Sequence, residues 1–168
     1  MKARKKTLQY RRKREGKTDY RKRLALLKSG MPRLVVRRSL QHVRAQLIEY
    51  RADGDHVLAD ASTAELVKKY GLKRARRNTV TAYLVGMLLG KKAVAKKIRQ
   101  AVLDIGMYRP VRNGIIYAAV KGAVDAGLSV PHAPEVLPPE TRLKGEHLKE
   151  SECETVKAKL MKAEHERN

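Results

Sequence analysis

Asp60, Asp104 and Asp125 are the residues with the strongest claim to bond-breaking chemistry in this 168-residue chain. Asp104 sits near the end of the apolar run AVLDIG (101–106), where a strand would present it at a sheet edge. Metal-dependent phosphodiester cleavage needs several carboxylates converging on two cations. The first strand, which should supply one of them, offers Arg33, Arg37 and Arg38 instead. Asp104 therefore reads as a structural or salt-bridging residue. The string GMLLGKK (86–92) invites a phosphate-loop reading, but three residues separate its glycines where four are needed. Lys92 also stands where that loop carries a hydroxyl, and the segment lies inside a helical pattern, so close helix packing at Gly86 and Gly90 is the better account. His42, His56, His132, His147 and His165 are scattered without metal-ligand spacing. Cys153, the single cysteine, has no base or cation cluster beside it in sequence. The residues predict no enzyme, no metal site, no cofactor and no small-molecule substrate.

The chemistry that is abundant is cationic. The chain carries 39 Lys and Arg against 17 Asp and Glu, a formal charge of +22. Solubility does not need so much; the excess points to a polyanion, whose counterions are released on binding. Residues 1–28 hold 13 basic and 2 acidic groups, residues 29–137 hold 19 and 8, and residues 138–168 hold 7 of each. The bias thus belongs to an arm and a body, and the neutral tail is a separate segment. Arginine, whose forked donors suit phosphate, is prominent in the arm and in LKRARRN (72–78), whereas lysine gathers at 91–97. Tyr10 and Tyr20 flank the arm's basic run RRKREGKTD (11–19) and are able to stack on unpaired bases; for Tyr20 an anchoring role on an apolar stripe is the stronger reading. A lone cysteine excludes an internal disulfide, and no apolar run approaches the roughly 18 residues of a membrane span. With no signal-peptide pattern either, the expectation is a cytoplasmic protein without a membrane partner.

These groups need elements to hold them. Residues 1–17 are nearly core-free and read as an arm, extended when unbound. Thr18 is the expected N-cap of a short helix that Gly30 closes, with Tyr20, Leu24 and Leu27 on one anchoring stripe. RLVVRRS (33–39), HVRAQLIEY (42–50) and HVLADAS (56–62) read as three strands of an antiparallel meander, with Val43, Ala45 and Leu47 on one face and Arg44, Gln46 and Ile48 on the other. Ser62 and Glu65 form a capping-box pattern for a helix that Gly71 ends. Asn78 caps a longer helix over 79–98 with Val80, Leu84, Met87 and Leu88 inward. AVLDIG is a buried strand, and a helix bearing Ile116, Ala119, Val120, Ala123 and Val124 ends at Gly127. The order βββααβα predicts an α/β sandwich, three-layer-like, on a mixed sheet. Three segments follow: a basic arm and short helix (1–30), a globular body (31–130), and a Pro-rich strap with a charged, helix-prone tail (131–168). The tail's thin stripe of Leu148, Val156 and Leu160 predicts weak order unless something docks on it.

The strings RRKREGKTDYRKRLALLKSGMPRLVVRRS, AQLIEY, ELVKKYG, NTVTAYLVGMLLGKKA, AVLDIG and AAVKGAVDAGLSVPHAPEVLP closely resemble, in that order, the archaeal form of the large-subunit ribosomal protein eighteen family, relatives of eukaryotic large-subunit protein five. The resemblance covers roughly residues 8–148. It implies a ribonuclease-H-like fold without the catalytic acids. It also implies a structural, RNA-binding role: attaching 5S rRNA to 23S rRNA in the central protuberance, beside neighbouring large-subunit proteins. By position it puts RNA contacts on Arg11, Arg12, Lys13, Arg14, Lys17, Thr18, Tyr20, Arg21 and Arg23 of the arm. On the first hairpin it suggests Arg37, Arg38, Ser39, His42 and Arg44. Asn78 and Thr79 at a helix start, and Arg109 and Arg112 after the LDIG strand, complete the set, with capping an alternative role for Asn78 and Thr79. A general, chromatin-like nucleic-acid binder is the alternative; it explains the charge but not an ordered body behind the arm.

Overall fold

The computed structural model describes residues 8–73, 77–145 and 153–162. The basic loop residues 74–76 and the stripe residue Leu148 lie outside them. The elements are helix α1 (Arg11–Arg14), helix α2 (Tyr20–Leu27), strands β1 (Arg33–Arg38), β2 (Val43–Glu49) and β3 (His56–Ser62), helices α3 (Thr63–Tyr70) and α4 (Thr79–Ala95), strand β4 (Val102–Asp104) and helix α5 (Ile115–Asp125). A 3-10 turn at Pro134–Val136 then leads to α6 (Glu140–Lys144) and α7 (Cys153–Lys162).

The sheet order is β3-β2-β1-β4. β1 pairs antiparallel with β2, Leu34 opposite Leu47, and parallel with β4, Val35 opposite Asp104. The sheet is therefore mixed, and the expected meander forms its first three strands. Alternation sorts the side chains as the sequence predicts. Val43, Ala45 and Leu47 are all fully buried and join Leu34 and Val36 in the core, while Arg33, Val35, Arg37, Arg44, Gln46 and Ile48 take the opposite face. On the core face α4 lies against β2 and β3, and α5 against β1. The other face carries α2 and the charged groups, which makes the third layer.

α4 is buried nearly all round rather than on one stripe, from Thr79 to Gly90. It touches the sheet, α3, α5, α6 and α7, so no side of it is left for polar residues. The helix ends at Ala95, earlier than the predicted 98. A Cβ at Gly86 would stand 1.9 Å from the carbonyl oxygen of Ala119, and one at Gly122 would stand 2.0 Å from that of Tyr83. Those glycines let the α4 and α5 backbones touch, the packing role expected for Gly86.

Four local expectations need correction. Asp19, not Thr18, caps α2, its carboxylate accepting from Arg21 N at 3.0 Å and Lys22 N at 3.2 Å. An ionised acceptor at a helix start gains from the helix dipole as well as from the hydrogen bonds. Ser62 accepts from Glu65 N, but Glu65 gives its carboxylate to Lys92 and Lys69 instead of closing a capping box; the full box is at Asn78 and Thr81. The arm is not extended over residues 11–18: α1 turns there, and Lys17 N and Thr18 N both bond back to Arg12 O. Finally, α7 packs into the core, with Cys153, Val156 and Leu160 each at most 3% exposed. The three fall at i, i+3 and i+7, a stripe narrow in sequence yet sufficient once α3, α4 and α6 supply the facing walls.

Candidate nucleic-acid interface

α2 buries no side chain, and Leu24 on the expected anchoring stripe is 57% exposed. Tyr20, Leu26 and Leu27 are half-buried, so apolar docking of the arm on the body is partial. A line of charged groups adds to it. Arg23 gives Nη2 to both oxygens of Asp55, at 3.0 and 2.9 Å. Asp55 also accepts from Arg33 at 2.8 Å, and Arg33 bonds Asp104 at 3.0 Å with its second amino group. Asp104 in turn binds Arg37 at 3.2 Å and accepts from Gly106 N at 2.8 Å. The line runs from α2 across the polar face of the sheet to the loop after β4. Arg33 and Asp104 are the buried members, which gives Asp104 the salt-bridging role read from the sequence.

The cations of the arm differ in what they already hold. Glu15 neutralises Arg11 at 2.7 Å and Lys17 at 2.8 Å, and those bonds hold its carboxyl below the usual carboxylate value. Arg12 donates to Thr18 Oγ1 at 2.9 Å, which is what Thr18 does in place of capping. Lys13, Arg14 and Arg21 are exposed and form no ion pair among the described residues. Tyr20 stacks on Tyr10 with ring centroids 5.2 Å apart, tilted by 46°. Tyr10 itself is 73% exposed, so the pair stands at the surface beside these cations.

On the hairpin, Arg37 spends two donors on the carbonyls of Val36 and Asp104 besides its carboxylate bond. Arg38 lies over the Tyr108 ring, 5.2 Å from its centroid, and Tyr108 Oη donates to the carbonyl of Arg38 at 2.9 Å. This clamp joins the β1–β2 hairpin to the loop after β4, so Arg38 and the exposed Arg109 and Arg112 belong to one end of the sheet. Ser39 closes the hairpin turn with His42, while the His42 ring meets Thr63 Oγ1 at 2.9 Å. Arg44 pairs with Asp60 at 3.1 Å, both exposed. Asn78 and Thr79 stand apart. Asn78 accepts from Thr81 N at 2.8 Å as a cap, and Thr79 is 7% exposed, so capping occupies that helix start.

Lys92 and Lys96 of the lysine cluster reach back onto β3. Lys92 donates to Asp60 O at 2.7 Å and Glu65 at 2.6 Å, and Lys96 donates to Leu58 O. They cover carbonyls of the edge strand β3, a role that no periodicity in the sequence reveals. Asp60, Asp104 and Asp125 are all occupied by cations; Asp125 accepts from Lys121 at 2.8 Å and from Tyr83 Oη at 3.0 Å. Among the described residues no group of three or more acidic, His or Cys side chains is placed to hold a metal ion. No helix among them is long and apolar enough to cross a membrane.

The structure joins an α/β body with a cation-rich polar sheet face to a basic arm latched onto it, an architecture suited to a polyanion. Residues 4–99 match the family described as ribosomal large subunit proteins 60S L5, and 50S L18. A relative from Caldivirga maquilingensis, described as large ribosomal subunit protein uL18, is 54% identical over 141 residues, 84% of this chain and 68% of its own length. One from Aeropyrum pernix with the same description is 48% identical over 138 residues, 82% of this chain and 64% of its own length. The chain thus spans about two thirds of the curated relatives it matches. It belongs to this ribosomal large-subunit protein family, in its archaeal type.

Proposed function

We propose that this protein is a non-catalytic structural constituent of the large ribosomal subunit that binds 5S rRNA and helps attach it to 23S rRNA in the central protuberance. The observation that carries the reading is the family match, which spans the basic arm, Arg23, Asp55 and the first hairpin together. Arg14, Lys13 and Arg21 in the arm, and Arg38, Arg109 and Arg112 at the sheet end, supply exposed charge for two phosphate tracks. The arm of residues 1–30 and the body of residues 31–130 divide that work, and the segment 131–168 completes the core through α6 and α7. Placement in the ribosome, and so in the cytoplasm, follows from the same reading. Gel retardation of labelled 5S rRNA with tRNA and duplex DNA as competitors tests it. The expected result is a complex that survives a large excess of either competitor. Equal competition by all three nucleic acids would mean a general polyanion binder.

A further inference from the structure

Between α2 and the polar face of the sheet lies a cleft of about 440 Å³. That is within the range of about 300–1,000 Å³ typical of sites for small organic ligands. Its walls are of two kinds. Ala25 and Leu26 of α2, Val35 and Ile48 of the sheet, and Ile105 after β4 are its apolar lining. Arg12, Lys17 and Lys22 line it as well, and six Arg or Lys border it against three Asp. Those aspartates are already satisfied: Asp19 caps α2, while Asp55 and Asp104 hold the arginine line. The cleft therefore keeps a positive balance beside apolar walls. One wall also contains a donor without an acceptor, since Arg33 Nε is buried with no hydrogen-bond partner among the described residues.

We propose that this cleft receives one unpaired nucleotide of the bound RNA, its base between Leu26 and the Val35–Ile48 surface and its phosphate at Arg12 and Lys22. The inference rests on the RNA-binding reading and adds a recognition element to it. Apolar walls gain nothing from a phosphate and a purely cationic groove gains nothing from a base; only a ligand carrying both uses both. A base within a duplex has its faces covered by its neighbours, so the nucleotide must stand out of the stack.

The test compares three short RNA duplexes binding to the full chain: one fully paired, one with a single bulged nucleotide, and one whose bulge is abasic. The expected order places the intact bulge about tenfold tighter than the other two, the worth of one stacked base. Equal affinity for intact and abasic bulges in the unaltered protein overturns the proposal, whatever happens with 5S rRNA. Ala25 is exposed on α2, and Ala25→Trp fills the cleft without a change of charge. It should erase the preference for the bulge and leave duplex affinity and its salt dependence as they were. Retained preference in a folded Ala25→Trp protein also overturns it. Free nucleoside monophosphate should displace the bulged RNA better than inorganic phosphate does; equal displacement would mean that the cleft holds phosphate alone and that base recognition is wrong.

Discussion

Removing the carboxylate of Asp104 would strand Arg33, whose side chain is 4% exposed and depends on Asp104 and Asp55 for its charge. Breaking a buried pair from one side costs about 3–5 kcal/mol. Asp104→Ala should lose that much in urea unfolding, and Asp104→Asn less, because an amide oxygen still accepts from Gly106 N. Intact RNA after incubation with Mg²⁺ and either protein is expected; Mg²⁺-dependent cleavage that vanishes with Asp104 would overturn the non-catalytic reading. Two other side chains set the response to alkali. Burial pushes up the Cys153 thiol, and burial together with the neighbouring Asp125 charge pushes up the Tyr83 hydroxyl, from ordinary values of 9.0 and 10.0. Both are neutral when protonated, and the folded state keeps the proton longer than the unfolded one. Their contribution is therefore complete below about pH 9 and falls as pH rises above it. Tyr83→Phe should flatten the decline of the urea midpoint between about pH 9 and 11. Glu65 acts at the acid end. Partial burial raises its carboxyl, but the Lys92 and Lys69 bonds outweigh that and hold it below 4.5, so its contribution is lost as pH falls below that value.

A helix start and a helix crossing carry the predictions at the scale of elements. Asp19→Ala should destabilise α2 by about 1 kcal/mol, the worth of an N-cap. Thr18→Ala should cost less in helix content and act on the position of Arg12, its hydrogen-bond donor. Amide exchange across Tyr20–Leu27 reads the difference: faster in the first variant, nearly unchanged in the second. Because Arg23 and Asp55 latch α2 to the body, Asp55→Asn should also speed exchange there. At the crossing of α4 and α5 the usual rule reverses. Glycine inside a helix ordinarily gains about 1 kcal/mol on replacement by alanine. Gly86→Ala instead drives a methyl into the Ala119 carbonyl and should lose more than about 3 kcal/mol in thermal or urea unfolding, an overpacking that backbone cannot relieve.

Across the whole molecule, arm and body are separable while tail and body are not. Deleting residues 1–17 removes no buried residue among those described, so the α/β body should keep its unfolding midpoint. RNA affinity should fall, and the slope of log K against log salt should become shallower by about 0.7–0.9 for each phosphate the arm no longer neutralises. Equal slopes would mean that the arm does not touch RNA. Truncation after Gly145 removes Cys153, Val156 and Leu160 from the core and exposes the α3 and α4 surfaces that they cover. Each buried side chain of this kind is worth about 1.5–3 kcal/mol, so a marginally stable domain of this size should unfold well below the full chain's midpoint.

Local rules were enough for the elements whose pattern is their own cause. Strict alternation in HVRAQLIEY set which side chains of β2 are buried, Asn78 marked the start of α4, and Gly71 and Gly127 marked helix ends through positive φ. The net charge alone pointed to a polyanion, and the arm's cations were legible as such. Partner choice was not legible, because it depends on which groups a fold brings within 3 Å of each other. Thr18 and Asp19 are both good caps, and only the geometry of the α1–α2 turn assigned the cap to Asp19 and gave Thr18 to Arg12. Leu24 looked like an anchor, but it is 57% exposed while Tyr20 and Leu27 are half-buried, and the ion pair from Arg23 to Asp55, 32 residues apart, was not legible at all. Arg37 was a candidate RNA contact, and its bond to Asp104 of a strand 67 residues away was not legible beside it. The tail stripe was too thin to predict burial, since an amphipathic helix is stabilised by the walls it meets, and those walls come from α3, α4 and α6.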